Sequence, residues 1–289
     1  GIAGRSYNNI VATNSGEIKV EELSCTLLYL GGLVGECNGT VSSGSKNLAD
    51  GDITIAGLSV EDKTYLGGAV GLNSGNVTAD NDGDVTLTET CSSVKSLFVG
   101  GVVGRGEAPV TSCTNTGAVT NGCSMETSQS YLQLGGVVGY NNGDSPITDC
   151  HNTGDVTNTG NSTGFLYVGG VTSECDADME NSTNTGAISN SGESGGTYSS
   201  GKKCHDTSVG GVSGVNNSIT FSSCYNTGTV SNTAYAGGGI FVGGVVGKSN
   251  AGTYVTCYNT GAVTNSGKAK DSLQPCDVGI GGFAGYLLG

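Results

Sequence analysis

The groups best able to do chemistry in this 289-residue chain are its carboxylates, its eleven cysteines and its two histidines. Glu17, Asp52, Asp84 and Asp155 each follow a glycine in a recurring phrase. Carboxylates gathered in this way on one face of a scaffold could serve glycoside cleavage. Ala118, Ala187, Thr229 and Ala262 hold the same place in other copies, and basic residues to grip a polyanionic sugar are few. A polysaccharide-active enzyme is therefore the alternative reading, not the leading one. "KKCHD" at 202–206 sets Cys204, His205 and Asp206 side by side. Catalytic partners are normally brought together by the fold, whereas sequence neighbours point apart, so this run reads as a loop. With only His151 and His205 and no HExxH, a zinc protease of that type is excluded. "DNDGD" at 80–84 has the oxygen density of a calcium loop. An EF-hand fit would use Asp80, Asp82 and Glu89, but it places Thr78 where the first acidic ligand belongs. No metal or cofactor is expected.

The cysteines fall into two groups. Cys113, Cys150, Cys224 and Cys257 lie four residues before the phrase's glycine, where Ala12, Ala79 and Ser182 stand in other copies. The position wants a small side chain, and a column of buried thiols meets that need. Cys25, Cys37, Cys91, Cys123, Cys175, Cys204 and Cys276 fall in turns or variable loops. Cys91 and Cys123 sit in adjacent loops and could pair, while Cys37 and Cys175 are four copies apart and cannot. An odd total leaves at least one cysteine without an intrachain partner.

These residues must be positioned by repetition, because the phrase "YNTGTVSN" at 225–232 returns as "YNTGAVTN" at 258–265. Its anchor glycine recurs as Gly16, Gly51, Gly83, Gly117, Gly154, Gly186, Gly228 and Gly261, at steps of 32 to 42 residues. Two residues later come Ile18, Ile53, Val85, Val119, Val156, Ile188, Val230 and Val263, all β-branched and suited to a buried strand. Two residues earlier stand Asn14, Ala49, Asn81, Asn115, Asn152, Asn184, Asn226 and Asn259, which predicts an asparagine ladder interrupted at Ala49. Glycine pairs beginning at Gly31, Gly67, Gly100, Gly135, Gly169, Gly210, Gly243 and Gly281 alternate with the anchors. A short apolar patch, such as Val110-Thr111, lies between each pair and the next anchor.

Each repeat of roughly 35 residues thus supplies three short strands that bury their apolar face only by stacking on neighbours. The expected fold is all-β: a single-stranded right-handed parallel β-helix of about eight coils, spanning 1–289 as one repeat domain. At roughly 4.8 Å per coil the rod would be on the order of 40 Å long. "GIAG" at 1–4 matches the end of "GGFAG" at 281–285, as expected of a piece of a longer protein.

One outward stripe could bind a ligand. Two residues before each glycine pair stand Tyr29, Tyr65, Phe98, Gln133, Tyr167, Ser208, Phe241 and Gly279. Strand alternation turns these away from the core, and Tyr29, Tyr65, Phe98, Tyr167 and Phe241 could stack on sugar rings or on a partner's apolar surface. The opposing expectation is that a variable loop folds over the row and buries it. A second column, Thr54, Thr86, Thr120, Thr157 and Thr264, could present hydroxyls to ice, but Lys19, Ser189 and Ser231 interrupt it.

The net charge of −14 makes nucleic acid and anionic membranes poor partners, and no apolar run is long enough to span a bilayer. "GGLVG" at 31–35 and its copies resemble the GLUG-type repeats of bacterial cell-surface proteins. That resemblance implies a secreted or cell-surface location and a structural or adhesive role, and it brings no catalytic residues. The expected partner is a glycan or a protein on a host or neighbouring cell, met by loops of which the longest are 187–209 and 262–280.

Overall fold

Each aliphatic residue after an anchor glycine is paired in register with its counterpart in the next repeat. The ladder runs without a break through Ile18, Ile53, Val85, Val119, Val156, Ile188, Val230 and Val263. The computed structural model describes residues 2–92, 94–127, 130–143, 145–195, 205–217, 219–269 and 277–288. It is an all-β parallel solenoid of eight coils, with no helix among the described residues.

Three parallel sheets run along the axis. A nine-stranded sheet gathers the strands that follow each glycine pair, from Ala3–Ser6 through Val103–Gly106 to Ala284–Leu287. A 13-stranded sheet holds the patch segments. A 15-stranded sheet holds both the strand after each anchor and the strand leading into the next glycine pair. The expected count of three strands per coil is too low for most coils, because the patch segment itself divides. Val110–Thr111 and Thr114–Asn115 are separate strands joined through Ser112, which adopts a left-handed φ of 51°. Asp149, Asn181, Ser223 and Thr256 repeat that conformation in the following coils. Four of these five residues are Ser, Asp or Asn, whose short polar side chains suit such bends.

The coil is pinched where the second glycine of each pair meets the asparagine ladder. A Cβ on Gly101 would lie 2.3 Å from Asn115 Cγ and 2.1 Å from the Gly136 carbonyl oxygen, and Gly68 and Gly136 face equivalent clashes. Only glycine permits this approach. The pinch separates two apolar cores. One contains Val34, Val70, Val103, Val110 and the thiol column; the other contains the aliphatic ladder with Leu66, Val99, Leu134 and Met125.

The asparagine ladder is complete. Each side-chain amide donates to the carbonyl oxygen of the next, from Asn14 to Asn259, at 2.7–2.8 Å. The gap expected at Ala49 does not exist, because Asn47 occupies the rung. The turn in this coil is longer, and Asn47 Nδ2 reaches the Gly51 carbonyl four residues on, where other rungs reach two.

A second, shorter ladder joins Asn121, Asn158, Asn190, Asn232 and Asn265, with rungs of 2.7–2.8 Å. It marks a fork. In the first coils the strand after the anchor runs straight on to the glycine pair, as Ile18–Gly31 and Ile53–Gly67. From the fourth coil it stops at the new asparagine, as in Val119–Asn121, and is followed by the short strand Ser124–Met125 before Tyr131–Gly135. Leu87 pairs with Asn121, so an apolar residue continues the strand where an asparagine ends it.

Candidate functional site

The aromatic row lies in register on the strands leading into the glycine pairs: Tyr29, Tyr65, Phe98, Gln133, Tyr167, Ser208, Phe241 and Gly279. Its neighbours Leu66, Val99, Leu134, Val168 and Val242 are fully buried in the core, so the row does face outward. It is nevertheless covered. The chain folds back at each glycine pair, and the outward residues of the next strand close over the row from the other side of the corner. That facing column includes Glu36, Leu72, Arg105, Tyr140, Glu174, Val215, Lys248 and Tyr286.

Ring stacking passes from Tyr29 to Tyr65 to Phe98 and then across the corner to Tyr140, with centroids 5.3–5.5 Å apart. Tyr65 is 5% exposed, Phe98 6%, Tyr167 9% and Phe241 4%; Tyr29, in the first coil, is half-buried. Those four rings are buried, as one of the two expectations had it, but the cover seen comes from the strand residues seven positions further along the chain and not from the expected variable loop. They leave no open stripe of ring faces at Tyr65, Phe98, Tyr167 and Phe241.

Polar groups line the same corner. Arg105 lies 5.7 Å from the Tyr65 ring centroid and 5.4 Å from that of Tyr140, donates to the Tyr65 hydroxyl at 3.2 Å and pairs with Glu107 at 3.0 Å. Lys248 sits 5.2 Å over Phe241 and pairs with Asp206 at 2.6 Å. Between these stations lie Glu174 and Asp176. Gln133 Nε2 donates to Glu174 at 2.5 Å, and Asn217 Nδ2 donates to both Glu174 (2.7 Å) and Asp176 (2.6 Å). The Tyr140 hydroxyl donates to Asp176 at 2.8 Å. Burial pushes the Glu174 carboxyl up and raises the Tyr140 and Tyr167 hydroxyls well above the usual tyrosine value. The facing column was missed in the sequence, although its fixed seven-residue offset from the row is legible there.

The remaining candidates are absorbed by stacking. Asp52, Asp84 and Asp155 each accept the backbone N–H of the next coil at 2.8 Å, so these carboxylates brace coils instead of converging. Asp80 accepts Thr114 N–H at 3.1 Å and Asp82 pairs with Lys46 at 2.8 Å. Among the described residues no group of three or more His, Cys, Asp or Glu side chains is placed to hold a metal ion. Cys204 of "KKCHD" lies outside the described residues, as does Cys276; His205 packs edge-on to Phe165 and Asp206 turns to Lys248. Thr54, Thr86, Thr120, Thr157 and Thr264 do align, with Ser189 and Ser231 in their column.

Cys91 and Cys123 form a disulfide, with Cα atoms 5.5 Å apart. Cys113, Cys150, Cys224 and Cys257 are free thiols in the expected column. Burial raises Cys150 and Cys175, the latter to about 12. Cys257, half-buried in the last coil, differs: its hydrogen bond with Cys224 lowers it to about 7 and pushes Cys224 up.

The GLUG motif family matches residues 130–157. That span is about one coil, carrying Gln133, the Gly135-Gly136 pair, Tyr140, the ladder residue Asn152 and Val156. No curated protein and no solved structure gives a significant match. The chain carries a GLUG motif on a β-solenoid built from eight copies of the same coil.

Proposed function

We propose that the chain is a non-catalytic structural segment of a secreted or cell-surface bacterial protein, with an adhesive role toward a glycan or a protein on another cell. The observation that supports this most is the conversion of its polar residues into coil-to-coil bonds. Asparagines, aspartates and small thiols that could have formed a site are instead spent column by column on holding a stiff rod together. The Cys91–Cys123 disulfide fits an oxidising, extracytoplasmic setting. Ligand contact falls to the loops of the forked coils and to exposed rings at their flanks, such as Tyr131 and Tyr235. The segments 196–204 and 270–276, within the loops expected to do the displaying, lie outside the described residues.

The test is a panel of host and plant glycans and cell-surface proteins, offered to the immobilised chain with and without calcium. Retention without turnover supports the adhesive reading. Released oligosaccharide overturns it in favour of a polysaccharide-active enzyme. Failure to retain anything reduces the role to that of a spacer.

A further inference from the structure

The folded corner repeats a chemical pattern along the rod, and one station of it is incomplete. At the first, Arg5 pairs with Glu36. At the second, Arg105 lies beside the rings of Tyr65 and Tyr140 and pairs with Glu107. At the last, Lys248 lies over Phe241 and pairs with Asp206. Each of these carboxylates has its own cation.

Glu174 and Asp176 do not. Gln133, Asn217 and Tyr140, all neutral, supply the hydrogen bonds to them, and among the described residues no Lys, Arg or His pairs with either. Arg105 and Lys248, each two rungs from Glu174 along the facing column, are engaged by Glu107 and Asp206. Two carboxylates sharing one amide donor in a half-buried corner repel each other, and the charge of Asp176 adds to burial in disfavouring the ionisation of Glu174. A second feature points to what is missing. Gln133 is 2% exposed, and its carboxamide lies against Glu174 through Nε2, yet among the described residues its Oε1 has no hydrogen-bond donor. A buried acceptor left without a donor is costly, and this one belongs to the same planar group that touches the carboxylate.

We propose that Gln133, Tyr140, Tyr167, Glu174, Asp176 and Asn217 form a binding site for a primary ammonium group, such as the side chain of a partner's lysine. An ammonium carries three N–H donors and no acceptor. Glu174, Asp176 and Gln133 Oε1 offer three acceptors with capacity to spare. The Tyr140 hydroxyl holds Asp176 at 2.8 Å and Tyr167 lies within the field of Glu174, so both residues belong to the same corner. Calcium fits less well, since it takes six to eight oxygen ligands and this corner gathers few. The site stands independently of the adhesive role, because it rests on the unmatched carboxylates and the donorless Gln133 Oε1 and not on the loops.

The experiment titrates the folded chain at neutral pH with n-butylammonium chloride, holding ionic strength constant with sodium chloride, and follows the side-chain amide NMR signals of Gln133 and Asn217. Calcium chloride is titrated in parallel. The expected result is a saturable shift of both amides with butylammonium, with affinity falling at least about tenfold in Glu174→Gln. If Glu174→Gln fails to fold, Asp176→Asn takes its place, and acidifying the wild type provides a further readout, since protonating the carboxylates must release the amine. No saturable shift with butylammonium overturns the proposal, as does an equal shift in the folded variant. A response to calcium alone also overturns it, and would identify a metal site instead.

Discussion

Truncating Tyr65 or Phe98 to alanine removes a ring stacked on both sides, Tyr65 between Tyr29 and Phe98, and Phe98 between Tyr65 and Tyr140. Each substitution is expected to cost about 3 kcal/mol, because the ring leaves a cavity that its neighbours fill only in part. Urea unfolding measures this; an unchanged midpoint would mean that the rings are accessible after all. The row's outward direction was legible from strand alternation, but its cover was not. Arg105 contacts Tyr65 from 40 residues away, and that pairing depends on how sharply the glycine corner folds. Glu174 yields a prediction of opposite character. Its carboxyl is held above the usual carboxylate range, chiefly by burial. In the window between the ordinary value and the raised one, the folded chain keeps a proton that the unfolded chain has released. Stability contributed by this group therefore falls as pH rises through that window. Glu174→Gln is expected to flatten the decline that sets in as pH rises above the ordinary carboxylate range, measured as denaturation midpoints with no amine present. A variant with the wild-type slope would remove Glu174 as its source.

The elements of this fold are too short to stand alone, many of them only two or three residues long, and their ends are set by single side chains. Asn158 illustrates the point: it accepts from Asn121 at 2.7 Å, donates to Asn190 at 2.8 Å and donates to the Gly160 carbonyl at 3.0 Å. Asn158→Ala deletes all three bonds and leaves buried groups without partners, for an expected loss of about 2–4 kcal/mol in thermal unfolding. A loss within about 0.5 kcal/mol would show that the second ladder is a by-product of the fork and does not support it. The coil number, the strand following each anchor and the first ladder were all readable from the sequence, because identical residues must stack. The fork was not, although Val20, Ile55 and Leu87 give way to Asn121, Asn158, Asn190, Asn232 and Asn265 at one position of the phrase. Ala49 misled for a simpler reason: counting back from Gly51 assumes a turn of constant length, and that turn is longer.

Across the whole molecule each coil bonds mainly to the coils on either side, so stability accumulates by nearest-neighbour contacts along the rod. Protection against hydrogen exchange is accordingly expected to peak in the middle coils, around Val103 and Val138, and to fall toward the outer coils. Uniform protection would indicate all-or-none unfolding of the entire stack. The ladder amides add a mechanical consequence. Every rung from Asn14 to Asn259 donates in the same sense, so tension on the two termini peels coils from an end, one at a time, breaking a rung with each. Each peeled coil releases 32 to 42 residues of slack, roughly 110–145 Å of extended chain. Pulled in an optical trap, the rod should lengthen in a staircase of such steps and dissipate work at every one.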